Sequence, residues 1–392
     1  ARPIVPVPPT ITTFMPFAPL LSSSEAGYPA RTALLRPPDP ADRVAPRRGS
    51  PHTVACMNRP PHHGPDGRFR APWPEAAEDG SIRRRFGRVA KEWLFGSHPP
   101  DPEPGALPRA EPRLAWPGDG ASYVRITWVG HATFLIQLPG LNLLTDPIWS
   151  DRPSPVPFGT RTRFVPAVPA LEALPPIHGV LLSHDHYDHL DRSTVLALHR
   201  RFGPDLRWYA PLGFDRWLGG LGIVNAAALD WWEEAPAPGG RFTLTATPAR
   251  HWCRRAPWDT NRRLWSGWAI TPARPGAAGP RIYFTGDTAY VPIFEEIGRR
   301  LGPFDASMIP IGAYEPRQFI KASHVNPEEA VRIWRELGGS GAFVPMHWGT
   351  FRLTFEDPLE PPERLRAAWS EQGLPADALE VLRHGETLVL GG

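Results

Sequence analysis

The sequence predicts an α/β sandwich, sheets packed on one another with helices outside, and three observations carry that prediction. Short apolar runs begin at Tyr123 and recur to the end of the chain, helical patterns stand between them, and polar residues with metal-binding chemistry follow directly on several of the runs. Strand-sized and helix-sized segments of this kind bury their apolar faces only by stacking in layers. At 392 residues the chain is long enough for one large domain or two average ones, so size sets no limit on an enzyme.

Residues 1–65 read as a proline-rich, largely irregular extension: 19 of the 52 prolines lie in the first 100 residues. The stretch Ile4 to Leu21 is broken by five prolines and has no charged segment leading into a clean apolar core, so it does not read as a secretory signal. Residues 66–120 read as a basic lead-in that packs on the body. Within it Ile82, Phe86, Val89, Ala90, Trp93 and Leu94 recur at helical spacing opposite Arg83, Arg84, Arg88 and Lys91. Such a basic amphipathic helix either packs on a core or lies at an anionic membrane interface.

From Tyr123 the runs YVRITWV, TFLIQL, LNLLT and GVLLS read as strands, followed by a helix near Arg192 to Phe202 and the strand RWYAP. The second half continues with the strands RFTLTATPA, GWAIT and RIYFTG, a helix near Phe294 to Leu301, the strand ASMIPI, a helix near Pro327 to Leu337 and the strand GAFVPM. No short-period repeat is visible.

Composition removes several classes of function. Cys56 and Cys253 are the only cysteines, too few for a disulfide framework or a four-thiolate zinc site. No run approaches the roughly 18 apolar residues of a membrane span. Residues 1–100 carry 14 Lys+Arg against 8 Asp+Glu, leaving 29 against 32 for the rest, so the body is mildly acidic. A nucleic-acid enzyme needs a basic stripe to neutralise phosphates, and nucleic acid is therefore not an expected partner.

The chemistry concentrates in His184-Asp185-His186-Tyr187-Asp188-His189, directly after the apolar run GVLLS. In an extended segment His184 and His186 point the same way, and a turn after them brings Asp188 and His189 round to face a second position. Packed together these side chains repel on protonation and contribute little to a core, so a metal is the reason for such a cluster. His251, Asp287 and His347 also stand where apolar runs end, which is where α/β sheets commonly place ligand sites. His184, His186 and His251 are expected to hold one zinc ion, Asp188, His189 and His347 a second, with Asp287 bridging the two; nitrogen and oxygen donors suit that metal.

These residues resemble the signature of the metallo-β-lactamase superfamily, His-x-His-x-Asp-His. Within it the chain looks like N-acylphosphatidylethanolamine-hydrolysing phospholipase D. Gly130-His131-Ala132-Thr133, Thr145-Asp146-Pro147, HDHYDHLD at 184–191, HWCRR at 251–255, TGDTAY at 285–290, IPIGAYEPR at 309–317, HVNPEEAVRI at 324–333 and HWGTF at 347–351 carry the likeness, which runs from about Pro72 onward. It implies a four-layer αββα sandwich over residues 121–392, two zinc ions, a homodimer and a hydrophobic channel over the metals. It further implies a phospholipid substrate met at a membrane surface, cleaved to phosphatidic acid and an N-acylethanolamine by a zinc-held hydroxide that attacks phosphorus. A cytoplasmic protein, peripheral on the inner face of the membrane, is the corresponding location. His324 matches a family histidine with a catalytic role, and Asp287 is assigned to catalysis with it. Asp146 is expected to orient a ligating imidazole, with His131 as a further polar support. The alternatives are a soluble phosphodiesterase or lactonase of the same fold, a metal-dependent nuclease, and a metal-stabilised scaffold without turnover.

Overall fold

A computed structural model of the chain describes residues 59–73, 99–114, 123–156, 161–274 and 276–391. The helix expected over 82–95 and most of the extension expected over 1–65 lie outside the described residues.

Two sheets form the centre. One runs β13-β1-β2-β3-β4-β5-β6, with β1 Val124–Gly130, β2 Thr133–Leu138, β3 Leu141–Thr145, β4 Gly179–Leu181, β5 Arg207–Pro211, β6 Ala226–Leu229 and β13 Thr387–Leu390. The other runs β12-β11-β10-β9-β8-β7, with β7 Glu234–Pro236, β8 Phe242–Thr247, β9 Gly267–Pro272, β10 Ile282–Phe284, β11 Ala306–Pro310 and β12 Ala342–Met346. Between the sheets Trp128, Phe134 and Ile136 meet Leu244, Trp268, Phe284, Met308 and Val344 in one buried layer.

The helices are α1 Arg192–Phe202, α2 Phe214–Gly219, α3 Phe294–Leu301, α4 Arg317–Ile320, α5 Pro327–Glu336 and α6 Glu360–Glu371. Val195 and Leu198 of α1 with Phe214 and Leu218 of α2 cover the outer face of the first sheet at Leu135, Val180 and Trp208. Phe294 of α3, Trp334 of α5 and Trp369 of α6 cover the outer face of the second at Tyr283, Ile309 and Phe343. The result is the αββα order. Because both faces of each sheet are covered, TFLIQL is buried at every position and shows no alternation of apolar and polar residues.

The expected helices at 192 and 294 have the predicted bounds, and α5 ends one residue short of Leu337. Asp191 caps α1 by accepting from the Ser193 N–H. Asn326 and Glu329 form a capping box at α5, whose first residue is Pro327. Three strands, β6, β7 and β13, and three helices, α2, α4 and α6, had no counterpart in the sequence expectation. The strands are short and partly exposed. Helix α6 carries Pro361 and Pro362 directly after its first residue, Glu360; they read as breakers but sit in the first turn, where the missing N–H is unneeded.

Strand direction positions the site. In the first sheet β1 and β3 are both antiparallel to β2, and β4, β5 and β6 follow β3 in parallel. In the second, β8 and β10 are both antiparallel to β9, and β11 and β12 run parallel to β10. Residues that leave β1, β3, β4 and β6 therefore emerge at one end of their sheet, as do residues that leave β8, β10 and β12. The His347 N–H donates to the His131 carbonyl at 3.1 Å, which joins the two ends.

Candidate metal centre

His131, Asp146 and His347 are each the first residue beyond a strand, β1, β3 and β12, and each has a left-handed backbone with φ of 55°, 31° and 62°. For residues other than glycine this conformation costs about 1–3 kcal/mol and clusters at functional sites. Here it turns each side chain off its strand and into the rim. Gly312 permits the arrangement at His347: a Cβ there would stand 2.2 Å from the His347 carbonyl oxygen.

The His184 loop follows the alternation expected of it. His184 Nε2 lies 2.9 Å from His186 Nδ1, whereas Asp185 between them points away and accepts from Arg263 Nε at 2.6 Å. The N–H groups of His189 and Leu190 then both donate to the His186 carbonyl, and this turn carries Asp188 and His189 to the other side of the cluster. Arg255 staples the loop by donating to the carbonyls of Asp185 and Leu190, each at 2.8 Å.

Two groups of donor atoms result. His251 Nε2 joins the first pair, 3.2 Å from His186 Nδ1. In the second group His189 Nε2 lies 3.2 Å from His347 Nε2 and 3.3 Å from Asp188 Oδ2. Asp287 Oδ2 stands between the groups, 3.9 Å from both His184 Nε2 and His251 Nε2, 3.2 Å from His189 Nε2 and 3.1 Å from His347 Nε2. Donors at about 2.0–2.1 Å from a tetrahedral metal ion are about 3.3 Å from one another, and the spacings within each group lie near that value, while Asp287 stands farther from His184 and His251 than from His189 and His347.

Proton positions sharpen the case. The His251 ring donates through Nδ1 to the Ser323 carbonyl at 2.9 Å, so its Nε2 presents a lone pair. The Ser183 hydroxyl donates to Asp146 and accepts from His184 Nδ1 at 2.9 Å, which leaves a second lone pair on His184 Nε2. His189 donates through Nδ1 to Asp146 Oδ2 at 2.8 Å, so its Nε2 is an acceptor among the oxygens of Asp188 and Asp287. Around His189 acceptors thus face acceptors, and a buried site of that kind is stable only with cations or extra protons among them.

The electrostatics of the cluster express the same demand. Burial raises the Asp287 carboxyl, but the charges of His189 and His347 outweigh burial and hold it well below the ordinary carboxylate range. Burial likewise raises Asp188, and His189, His131 and His347 bring it well down. Burial lowers His189 and His347, yet the two carboxylates lift His189 well above its usual value and His347 to about 9. Protons on these two rings supply the positive charge that the carboxylates require. Burial together with neighbouring histidines pushes His184 and His186 well down, so those rings stay neutral and fit to ligate.

All ten residues singled out in the sequence come together here. Asp146 meets the imidazole of His189 and also holds Ser183 through its N–H at 2.7 Å. His131 Nε2 lies 2.9 Å from an Asp188 carboxylate oxygen. His324 is half-buried beside the cluster, its Nδ1 3.8 Å from Asp287 Oδ2 and without a hydrogen-bond partner. Burial pushes it down to about 3, and Asp287 only partly opposes this, so the ring is neutral. Sequence reasoning missed Ser183, Arg263 and Ser323. Only Ser183 carried a signal, as the last residue of the apolar run before His184.

Known proteins resemble this chain in sequence and in fold. The family described as "Beta-lactamase superfamily domain" matches residues 141–348. The chain is 41% identical over 249 residues to N-acyl-phosphatidylethanolamine-hydrolyzing phospholipase D 1 of Caenorhabditis elegans, covering 61% of this chain and 68% of that protein. It is 28% identical over 267 residues to a metal-dependent hydrolase of Rubrobacter xylanophilus, covering 67% of this chain and 96% of that one. Among solved structures, isothiocyanate hydrolase from Delia radicum gut bacteria superposes with a TM-score of 0.54 at 21% identity, over 67% of this chain and 98% of that one, a likeness of fold.

Proposed function

Since the chain belongs to the β-lactamase superfamily and, within it, to the family of N-acylphosphatidylethanolamine-hydrolysing phospholipase D, and is thus a metal-dependent hydrolase, we propose that it is a binuclear zinc phosphodiesterase acting on N-acylated phospholipids. The observation that carries this is the convergence of imidazole and carboxylate acceptors on two adjacent points that share Asp287 Oδ2.

His184, His186 and His251 would hold one ion and Asp188, His189 and His347 the other, with Asp287 common to both. When bound, paired zinc ions lower the pKa of water towards about 7 and neutralise charge on a phosphate. The chain's own residues do the rest. Asp146 fixes the ring of His189, Ser183 that of His184 and the Ser323 carbonyl that of His251, so their lone pairs need no reorientation when an ion arrives. His324 stands outside these two sets of three, and its Nδ1 has no hydrogen-bond partner. Its neutral ring can accept a proton from the attacking water and deliver it to the departing N-acylethanolamine oxygen as the phosphorus–oxygen bond breaks.

A small cleft beside His347 is lined by Trp348, Phe351 and Leu353 together with Thr354 and Glu356, with Arg352 in its wall. Arg352 is buried, holds Asp101 and the Pro100 carbonyl, and keeps Nη1 without a protein partner, which is a charged donor for a phosphate oxygen. No helix among the described residues is long and apolar enough to cross a membrane, so contact with lipid would be peripheral. Exposed Trp258, on the loop that follows His251, is suited to such contact. A homodimer remains part of the proposal.

The test is zinc analysis of the purified protein with an assay on vesicles that contain N-acylphosphatidylethanolamine, for wild type and Asp287→Asn. Wild type should carry two ions in this site and release phosphatidic acid and N-acylethanolamine; the variant should lose at least about 100-fold in rate, as expected where groups act as a unit. Zinc-loaded wild type that cleaves a soluble phosphodiester but leaves the phospholipid intact would overturn the substrate assignment.

A further inference from the structure

A second convergence of metal-binding side chains lies outside this centre. His62 and His63 come from the segment 59–73, in which the Arg70 N–H returns to the His62 carbonyl at 2.8 Å and the Phe69 N–H to the Asn261 carbonyl at 2.8 Å. Asp230 is the first residue beyond β6 and so emerges at the same end of the first sheet as His131, Asp146 and His184. His62 Nε2 lies 2.6 Å from Asp230 Oδ1, and His63 Nε2 lies 2.7 Å from Oδ2.

We propose that His62, His63 and Asp230 form a third cation site, of the zinc class, that clips segment 59–73 to the end of β6. The donor set is two imidazoles and a carboxylate, a combination zinc accepts. The two rings stand 4.6 Å apart at 76°, the same arrangement as His184 and His186, which are 4.6 Å apart at 87°. One ligand atom from each of the three residues lies within 4.8 Å of the others. The His62 ring is held by a stack on Trp231 at 4.2 Å, and Trp231 in turn packs near Trp73 at 5.8 Å, so the donors sit on rigid supports. Side-chain exposure of 7% for His62, 16% for Asp230 and 26% for His63 leaves the group reachable from solvent on one side. A second carboxylate is close, since Glu233 Oε2 accepts from the Asp230 N–H at 2.8 Å. The site would serve the fold, because a cation that binds only the clipped form stabilises it.

The experiment counts zinc in full-length protein loaded with zinc chloride and dialysed, for wild type, His63→Ala and Asp230→Asn. Each variant should hold one equivalent fewer than wild type, whatever number the main centre retains, which keeps this result separate from the two-zinc proposal. Equal counts in wild type and a folded variant overturn the site in favour of a hydrogen-bonded clamp. Should both variants fail to fold, wild type alone decides through diethylpyrocarbonate labelling of the peptide that contains His63. Protection that a chelator abolishes supports the cation, and labelling that is the same with and without chelator overturns it.

Discussion

Asp146→Asn tests how much of the metal affinity depends on residues that touch no metal. Asp146 is fully buried and takes three donors, the N–H and hydroxyl of Ser183 and the Nδ1–H of His189. Asparagine offers a single acceptor oxygen. If its amide nitrogen replaces Oδ2, it confronts the His189 proton, which can escape only by moving to Nε2, the atom aimed at Asp287 and His347. The Ser183 hydroxyl would then reverse towards His184 Nδ1 and disturb the first donor group as well. If the amide turns over, its NH2 group faces the Ser183 N–H instead. Either orientation leaves at least one buried donor unmet, a loss of about 1–3 kcal/mol. Loss of an orienting bond to a ligating histidine weakens metal binding about 10- to 100-fold, which is about 1.4–2.7 kcal/mol. The two routes agree, so zinc titration against a competing chelator should show a 10- to 100-fold weaker variant. A folded Asp146→Asn protein whose zinc affinities lie within about twofold of wild type would refute the role given to the bonds behind the ligands.

Three further outcomes follow from the same geometry. Because Asp287 and Asp188 hold His347 up to about 9, above the ordinary value near 6.5, its proton stabilises the metal-free fold fully below about pH 6.5 and less as pH rises through about 9. The melting temperature of metal-free protein should fall across that window while zinc affinity rises, by up to about tenfold per pH unit for each proton displaced; calorimetry that shows both flat would count against the proton as stand-in for the cation. Gly312→Ala drives a Cβ to 2.2 Å from the His347 carbonyl oxygen and should cost about 3 kcal/mol or more in urea unfolding, a prediction that fails if the variant melts as wild type does. His324→Ala should lower the hydrolytic rate by about 100-fold or more with zinc content unchanged, whereas a rate within a few-fold of wild type would remove His324 from the chemistry.

The seven expected metal ligands were legible before any fold was known because two different signals marked them. Four lie within the six residues from His184 to His189, where alternation and one turn are local properties of the chain. His251, Asp287 and His347 each follow an apolar run, and a run long enough to read as a strand also fixes where that strand ends. Short, half-exposed β6, β7 and β13 carried no such pattern, because an edge strand is defined by its partner more than by its own residues. Tertiary structure alone decided that the ends of β1, β3 and β4 in one sheet and of β8, β10 and β12 in the other meet. Parallel order across each sheet is a long-range property, and the left-handed turns at His131, Asp146 and His347 leave no mark in residue types that seldom adopt them. The supports were hidden for the same reason. Ser323 acts through its carbonyl, which every residue possesses, and Arg263 is one arginine among 41 until the fold sets it against Asp185.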